Sequence, residues 1–480
     1  MVILQLSLPN PQTNGAITGF TSICQKRSSK FHSTLPPRLL ISNSHESQYP
    51  ISHQGVAAIV FGDGSEPMLY PLTKRRSEGA IPIAANYRLV DAVVSNCINS
   101  NINKIYALTQ FNSTSLNSHL SQAYSRIGIG KEGLVEVIAA YQSPENDSWF
   151  QGAADAVRRC LWVMEEYPVS EFLILPGHHL YKMDYQKIIE AHRNSKADIT
   201  IAALGALRDQ DPGFGFLKVN SENQVVEFRL KSESKPINFV SVENSRKCND
   251  NSYCNYSSMG IYLINRDIVE QLLREHFPKA NDFASEVIPG AISIGMKVQA
   301  FIFDGYWEDM RSIEAFYQAN MESTKKSNIG FNFFDRESPI YTFPRCLPST
   351  LITDAKITDS VIGGGCILNR CKVKGTVLGL RTKIRDGAVI EDSVIMGSDV
   401  YQMDIQNGVD RKGIDIPIGI GEDTQIRKAI VDKNARIGKN VLIINKDNVQ
   451  EGNNEANGFI ISGGIVVVLR NAVIPNGCIV

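Results

Sequence analysis

Apolar residues in this chain follow two rhythms. From about residue 56 to 320, short apolar runs (Val56–Phe61, Ile105–Thr109, Phe172–Leu175 and Ile199–Ala203) are separated by segments with helical spacing. Runs this short read as buried strands, and their alternation with helices predicts a mostly parallel α/β sheet covered on both faces. Ligands of such sheets sit beyond the carboxyl ends of the strands. The turn after Phe61 and the segment after Leu175 both fall there. From about 345 the rhythm changes. Val361, Ile367 and Val373 recur every six residues, as do Ile384 and Ile390, and then Val431, Ile437 and Ile443, with glycines and small residues between them. That period fits neither a helix nor an ordinary paired strand. It predicts a parallel β-helix whose stacked coils share one core. The stretch 328–348, with Pro339 and Pro344, reads as a linker. The expected division is a leader over 1–50, an α/β domain over 51–327, the linker, and a β-helix over 349–480.

A chain of 480 residues has room for two or three such domains. Its net charge of -1 exerts no general pull toward nucleic acid or membrane, so any anion site must be local. No apolar run approaches the ~18 residues of a membrane helix. The nine cysteines lack paired metal spacing and are expected to be reduced thiols in an intracellular compartment. Cys366 and Cys371 have no accompanying pair, so zinc is not expected there. The first acidic residue is Glu46, and Lys26, Arg27, Lys30 and Arg38 precede it among many Ser and Thr. That is the composition of an organelle transit peptide.

The turn Gly62-Asp63-Gly64-Ser65-Glu66-Pro67 follows the first strand, and Lys74-Arg75-Arg76 comes soon after. Glycines after a strand let backbone N–H groups approach phosphates, but two alone are a weak signal. More specific are Leu69-Tyr70-Pro71-Leu72-Thr73, Trp149-Phe150-Gln151-Gly152-Ala153-Ala154-Asp155-Ala156, Leu175-Pro176-Gly177-His178-His179-Leu180-Tyr181, Ser258-Met259-Gly260-Ile261-Tyr262 and Tyr306-Trp307-Glu308-Asp309, in that order. On these motifs the chain, over about 56 to 480, resembles the ADP-glucose pyrophosphorylases (glucose-1-phosphate adenylyltransferases), small-subunit type. The resemblance implies a Rossmann-like nucleotidyltransferase domain followed by a left-handed parallel β-helix. It also implies starch biosynthesis in the chloroplast or plastid stroma, with the leader as a plastid transit peptide. The family reaction joins ATP and glucose 1-phosphate into ADP-glucose and diphosphate with Mg²⁺, by in-line attack on the α-phosphorus. Positioning and electrostatics supply nearly all of such catalysis.

Measured against the family pattern, no catalytic position is intact. Met68 stands where the family has arginine, Glu78 where it has lysine, and His178 where it has the metal-binding aspartate. Asp63 and Glu66 replace loop glycines, and together with Met68 and Glu78 they make a swing of about four to five charges, each worth roughly 3 kcal/mol at ~5 Å before screening. Histidine is a poor magnesium ligand. The His178-His179 pair raises a transition-metal site, but adjacent loop residues seldom hold one ion, and that reading is set aside. Asp309 alone remains as a metal carboxylate, followed by Arg311 where glycine is usual, and is expected to hold Mg²⁺ poorly. The resemblance assigns nucleotide binding to Gly62, Gly64, Gln151 and Gly152. It assigns sugar-phosphate binding to Lys231 (beside Leu230, where the family has glutamate), Ser258 and Asp309.

Family members are heterotetramers of small and large subunits, controlled by 3-phosphoglycerate and phosphate. The matching anion positions are Arg76, Arg88, Lys104, His119 and Lys433, while Ser118 and Ser462 replace two further cations. No cysteine lies between Cys24 and Cys97, so the family's redox disulfide between subunits is not expected. Losing one stabiliser of transition-state charge costs ~10²–10³ in rate. Several such losses bring turnover near background, though they need not multiply. The leading expectation is a catalytically inactive or severely impaired small subunit with a structural or regulatory role. A second is a working adenylyltransferase with a reorganised phosphate site built from Lys74, Arg75 and Arg229. A third is a non-enzymatic interaction protein of the same layout, against which the retained Trp149–Ala156 motif and the leader argue.

Overall fold

The computed structural model describes residues 55–63, 69–125, 135–140, 148–205, 214–230, 254–325, 330–401 and 416–480. They lie in one compact unit, Ile51–Val480. Its first half is built on a nine-stranded sheet. Val56–Phe61, fully flanked, pairs in parallel with Ile105–Thr109 on one side and Glu171–Pro176 on the other. All three are apolar but for Glu171 and Thr109 at their ends, because both faces of this part of the sheet are covered. One face is closed by the helix Ala153–Met164, through Ala156, Val157, Cys160 and Leu161 against Phe172 and Ile174. The other is closed by Leu89–Asn99 and Tyr185–Ser195.

The sheet is mixed rather than mostly parallel. Cys254–Asn265 runs antiparallel between Glu171–Pro176 and Ile199–Gly205, opposing Tyr262 to both Ile174 and Ile201. A strand's apolar composition marks it as buried but carries no sign of its neighbour's direction.

The second half is a β-helix of three sheets whose coils stack in parallel, one of them extended by the antiparallel strands Phe459–Ser462 and Gly452–Asn454. Leu368, Ile384, Ile420, Ile437 and Ile474 form one inward ladder. Val373, Ile390, Ile426 and Ile443 form a second, and Leu378, Ile395, Val431 and Val468 a third. All are buried. The six-residue reading therefore holds for Val373, Ile384, Ile390, Val431, Ile437 and Ile443.

It slips by one residue in the first coil. Ile367 is only half-buried beside the inward Leu368. Val361 belongs to an outward row, Val361, Val377, Val394, Ile430 and Val467, which packs with Ile313 and Phe316 of the helix Ile313–Ser323. A one-residue offset moves a side chain to the other face of a strand. This sheet is apolar on both faces because the α/β half covers its outside, so hydrophobicity alone could not tell them apart.

Polar contacts reinforce that junction. Arg76 and Asp432, each with a 3% exposed side chain, form an ion pair of 2.5 Å. Tyr317 Oη donates to the Asp392 carbonyl at 2.6 Å, and Tyr70 and Lys74 both reach the carboxylate of Glu455. Residues 330–350 contain no helix or strand and run along the α/β half, where Tyr341 N–H donates to Ser95 Oγ at 2.8 Å. One thiol expectation fails: Cys254 is disulfide-bonded, whereas Cys97, Cys160, Cys346, Cys366, Cys371 and Cys478 are free.

Candidate functional site

Two strand ends and one short ribbon bring the candidate residues together. After Pro176 the chain turns at Gly177, where a Cβ would lie 2.1 Å from the Phe61 carbonyl oxygen. Only glycine permits that approach. The turn delivers His178 beside the end of the first strand. Next, His179–Tyr181 pairs antiparallel with Trp307–Asp309, setting His179 opposite Asp309. From the other side comes the single turn Glu78–Ala80, with Gly79 N–H bonded to the Gly62 carbonyl at 3.0 Å. Glu78 is buried rather than turned out to water, and its N–H donates to Asp63 Oδ1 at 2.9 Å.

The result is a buried cluster. His178 Nδ1 lies 3.7 Å from Glu78 Oε2, and its Nε2 lies 3.7 Å from Asp309 Oδ1. His179 meets the His178 ring edge to face at 4.6 Å and is walled by Phe214 and Trp307. None of the four imidazole nitrogens has a hydrogen-bond partner. One ligand atom each from His178, His179 and Asp309 fall within 4.8 Å of one another. Arg311 closes the cluster: its Nε and Nη2 reach Asp309 Oδ2 at 2.8 and 2.7 Å, and Nε reaches Oδ1 at 3.1 Å. Its guanidinium also lies over the Phe214 ring.

The electrostatics follow from burial. Desolvation pulls His178 below the ordinary histidine range, against the opposing pull of Asp309 and Glu78. His179, buried beside His178 and Arg311, lies well below that range. Both rings are therefore neutral near pH 7. Burial pushes the Asp63 carboxyl up to about 7, opposed by the Glu78 N–H and assisted by the Glu78 charge. Magnesium, a hard ion that takes oxygen ligands, does not fit: the cluster offers two neutral imidazoles and one carboxylate already gripped by a guanidinium.

The other sequence candidates are placed as follows. The Gly62 N–H is spent on the Leu108 carbonyl at 2.9 Å. Gln151 Nε2 donates to the Trp149 carbonyl, and Trp149 is exposed against Phe111. Gly152 faces the Asn281 carbonyl, where a Cβ would come within 2.3 Å. Ser258 is fully buried and accepts the Gly260 N–H. Gly64, Met68 and Lys231 lie outside the described residues.

Among the anion candidates, Arg88 and Lys433 come together and Lys104 stands apart. Lys433 and Arg470 hold the two oxygens of Asp399 at 2.6 and 2.8 Å. Asp399 lies below the usual carboxylate range because these cations and Asn434 outweigh its burial. Arg88 is pulled down to about 10 by burial, partly offset by Asp91 and reinforced by Arg345 and Arg76. Arg345 in turn feels Arg381. His119 is buried on Asp91 at 2.5 Å, sharing that carboxylate with Tyr124, Thr342 and the Arg88 N–H. Lys104 precedes its strand, so it lies at the amino ends of the parallel strands, paired with Glu136 and over Tyr106 and Tyr167. Arg76 is committed to Asp432. Sequence reasoning missed Arg345, Arg381, Arg470 and Asp399. Arg345, Arg470 and Asp399 are lone charges in their own stretches and Arg381 is one of several in its own, and only folding collects them.

Comparison with known proteins gives the same two-part layout. Residues 57–326 match the nucleotidyl transferase family and residues 345–479 the GLGC left-handed parallel β-helix domain. The chain is 58% identical over 475 residues to the "Inactive glucose-1-phosphate adenylyltransferase small subunit 2, chloroplastic" of Arabidopsis thaliana, covering 96% of this chain and 98% of that protein. It is 51% identical over 445 residues to the "Glucose-1-phosphate adenylyltransferase small subunit, chloroplastic/amyloplastic" of Triticum aestivum, covering 92% and 94%.

Proposed function

Because the chain belongs to the family of glucose-1-phosphate adenylyltransferase (ADP-glucose pyrophosphorylase) small subunits, we propose that it is a catalytically inactive or severely impaired one that acts as a structural or regulatory subunit in plastids. The observation that carries this reading is the charge around His178. Glu78 and Asp309 flank the ring at 3.7 Å each, and Asp63 sits behind Glu78. Carboxylates thus occupy the place where the family neutralises triphosphate and holds Mg²⁺. Among the described residues the guanidinium there is that of Arg311, which is tied to Asp309 and competes with Mg²⁺ for that carboxylate. The reorganised-site alternative loses support from two of its cations: Lys74 pairs with Glu455 and Arg229 with Glu227.

A regulatory role is supported by the parts left whole. The apolar junction between the halves and the basic group of Arg88, Arg345, Arg381, Lys433 and Arg470 around Asp399 are both built. In this reading the chain assembles with large and small subunits into a heterotetramer and alters its response to 3-phosphoglycerate and phosphate. The plastid names of both relatives and the acid-free leader support the location.

The test is ADP-glucose synthesis by the chain alone and co-expressed with a large subunit, at saturating Mg²⁺ and 3-phosphoglycerate. A parallel chain carries Met68→Arg, Glu78→Lys, His178→Asp and Arg311→Gly. Background activity in the first and a gain in the second are expected. Substantial turnover by the unmodified chain refutes the proposal.

A further inference from the structure

The cluster that excludes magnesium has the chemistry for a different ion. We propose that His178, His179 and Asp309 Oδ1 bind a borderline divalent transition ion of the zinc type, with Glu78 orienting His178 from behind.

Four observations carry this. First, two fully buried imidazoles with no hydrogen-bond partner on any nitrogen meet at one point. Buried polar groups are normally satisfied, and unpartnered ones point to something that should be there. Second, the spacing is close to a coordination shell. Ligands ~2.0–2.2 Å from a tetrahedral ion stand about 3.3–3.6 Å apart. His178 Nε2 and Asp309 Oδ1 are separated by 3.7 Å, and all three ligand atoms lie within 4.8 Å. Closing the site needs side-chain shifts of about an ångström.

Third, the atoms behind the ligands are arranged as metal sites require. A metal-bound histidine turns its other ring nitrogen to a carboxylate or carbonyl, which fixes ring orientation. Glu78 Oε2 faces His178 Nδ1 in that position at 3.7 Å. Arg311 makes its shorter contacts to Asp309 Oδ2, at 2.8 and 2.7 Å, while Oδ1 faces His178 and takes only the longer bonds of the Arg311 Nε and backbone N–H, at 3.1 and 3.2 Å, which an ion would displace. Fourth, Phe214, Trp307 and Tyr181 wall His179 with aromatic rings, which limits water competing for the ion. The objection to adjacent histidines is met by the turn at Gly177. His178 sits in that turn and His179 in the ribbon, so their rings converge instead of pointing to opposite faces.

The proposal is independent of the inactivity reading, since binding is measured without turnover. The full chain, stripped with chelator, is titrated with Co²⁺, Zn²⁺ and Mg²⁺ separately, followed by Co²⁺ visible absorption, calorimetry and melting temperature. The expected result is one equivalent of Co²⁺ with a four-coordinate nitrogen–oxygen spectrum, displaced by Zn²⁺, and a higher melting temperature with Zn²⁺ but not with Mg²⁺. Glu78→Gln weakens Co²⁺ about 10–100-fold, the range for removing a carboxylate behind a metal-bound histidine. His178→Gln with His179→Gln abolishes the spectrum. If that double variant does not fold, Asp309→Asn replaces it with the same expected loss. Wild-type chain that binds no Co²⁺ overturns the proposal. So does a spectrum with thiolate bands, or one unchanged in the variants, since either places the ion on cysteines or elsewhere.

Discussion

Replacing Asp432 by leucine tests how the two halves are held together. Arg76 and Asp432 are each 3% exposed and paired at 2.5 Å across the junction. Removing one partner of a buried pair leaves the other charge without compensation, which costs about 3–5 kcal/mol. Arg76 keeps only the Leu72 carbonyl at 3.0 Å and the Met396 sulfur at 3.6 Å, and neither neutralises it. Asp432 Oδ1 also accepts the Lys433 N–H at 2.6 Å, so the leucine variant orphans a backbone donor worth about 1–3 kcal/mol. The double variant Arg76→Met, Asp432→Leu has no stranded charge, because apolar replacement of a whole buried pair is often neutral. It should recover all but the loss at the Lys433 amide, about 1–3 kcal/mol.

Urea unfolding with two probes measures this. Trp149, Trp162 and Trp307 all lie in the first half, so fluorescence reports that half and circular dichroism reports both. Asp432→Leu should lower the midpoint strongly and separate the two transitions, whereas the double variant should keep them together. A single variant within about 1 kcal/mol of the parent refutes the reasoning, because the pair would not be carrying a desolvated charge. A double variant no better than the single does so too.

Three further outcomes follow from the geometry. Asp399→Asn removes the carboxylate shared by Lys433 and Arg470, so calorimetry should find phosphate or sulfate binding tightened at least about tenfold, consistent with a screened charge near 5 Å. Unchanged anion affinity would mean these cations do not form one site. Asp63 is raised from 3.8 to about 7, so the folded state binds its proton more tightly than the unfolded state. Stability from this group is present at low pH and lost as pH rises between those values, by at most about 4 kcal/mol. Asp63→Asn should flatten that slope in urea midpoints taken across the range. Gly177→Ala would set a Cβ 2.1 Å from the Phe61 carbonyl oxygen, and an overpacking loss of about 1–3 kcal/mol in the same assay is expected. A neutral substitution would show that the turn has room to move.

Much of this protein was legible along the chain because the information is local. Apolar runs of strand length mark Ile105–Thr109 and Ile199–Gly205 as buried strands wherever they pair. A six-residue period marks coils of a β-helix, since each coil must bury the same positions as the next. The replacements Glu78 and His178 are likewise visible as changes of charge against the family pattern. What sequence could not supply is which face a residue takes when both are apolar, or which charges meet. Val361 looked inward by period and lies outward, because the α/β half covers that sheet. Arg76 looked like a surface cation awaiting an anion and is sealed on Asp432, 356 positions away. His178, His179 and Asp309 are brought into one cluster by a turn and a two-stranded ribbon that no spacing rule records. Local chemistry decides which elements form and which groups are present. The pairing of distant strands decides which of those groups share a desolvated space, and there their charges and empty nitrogens acquire meaning.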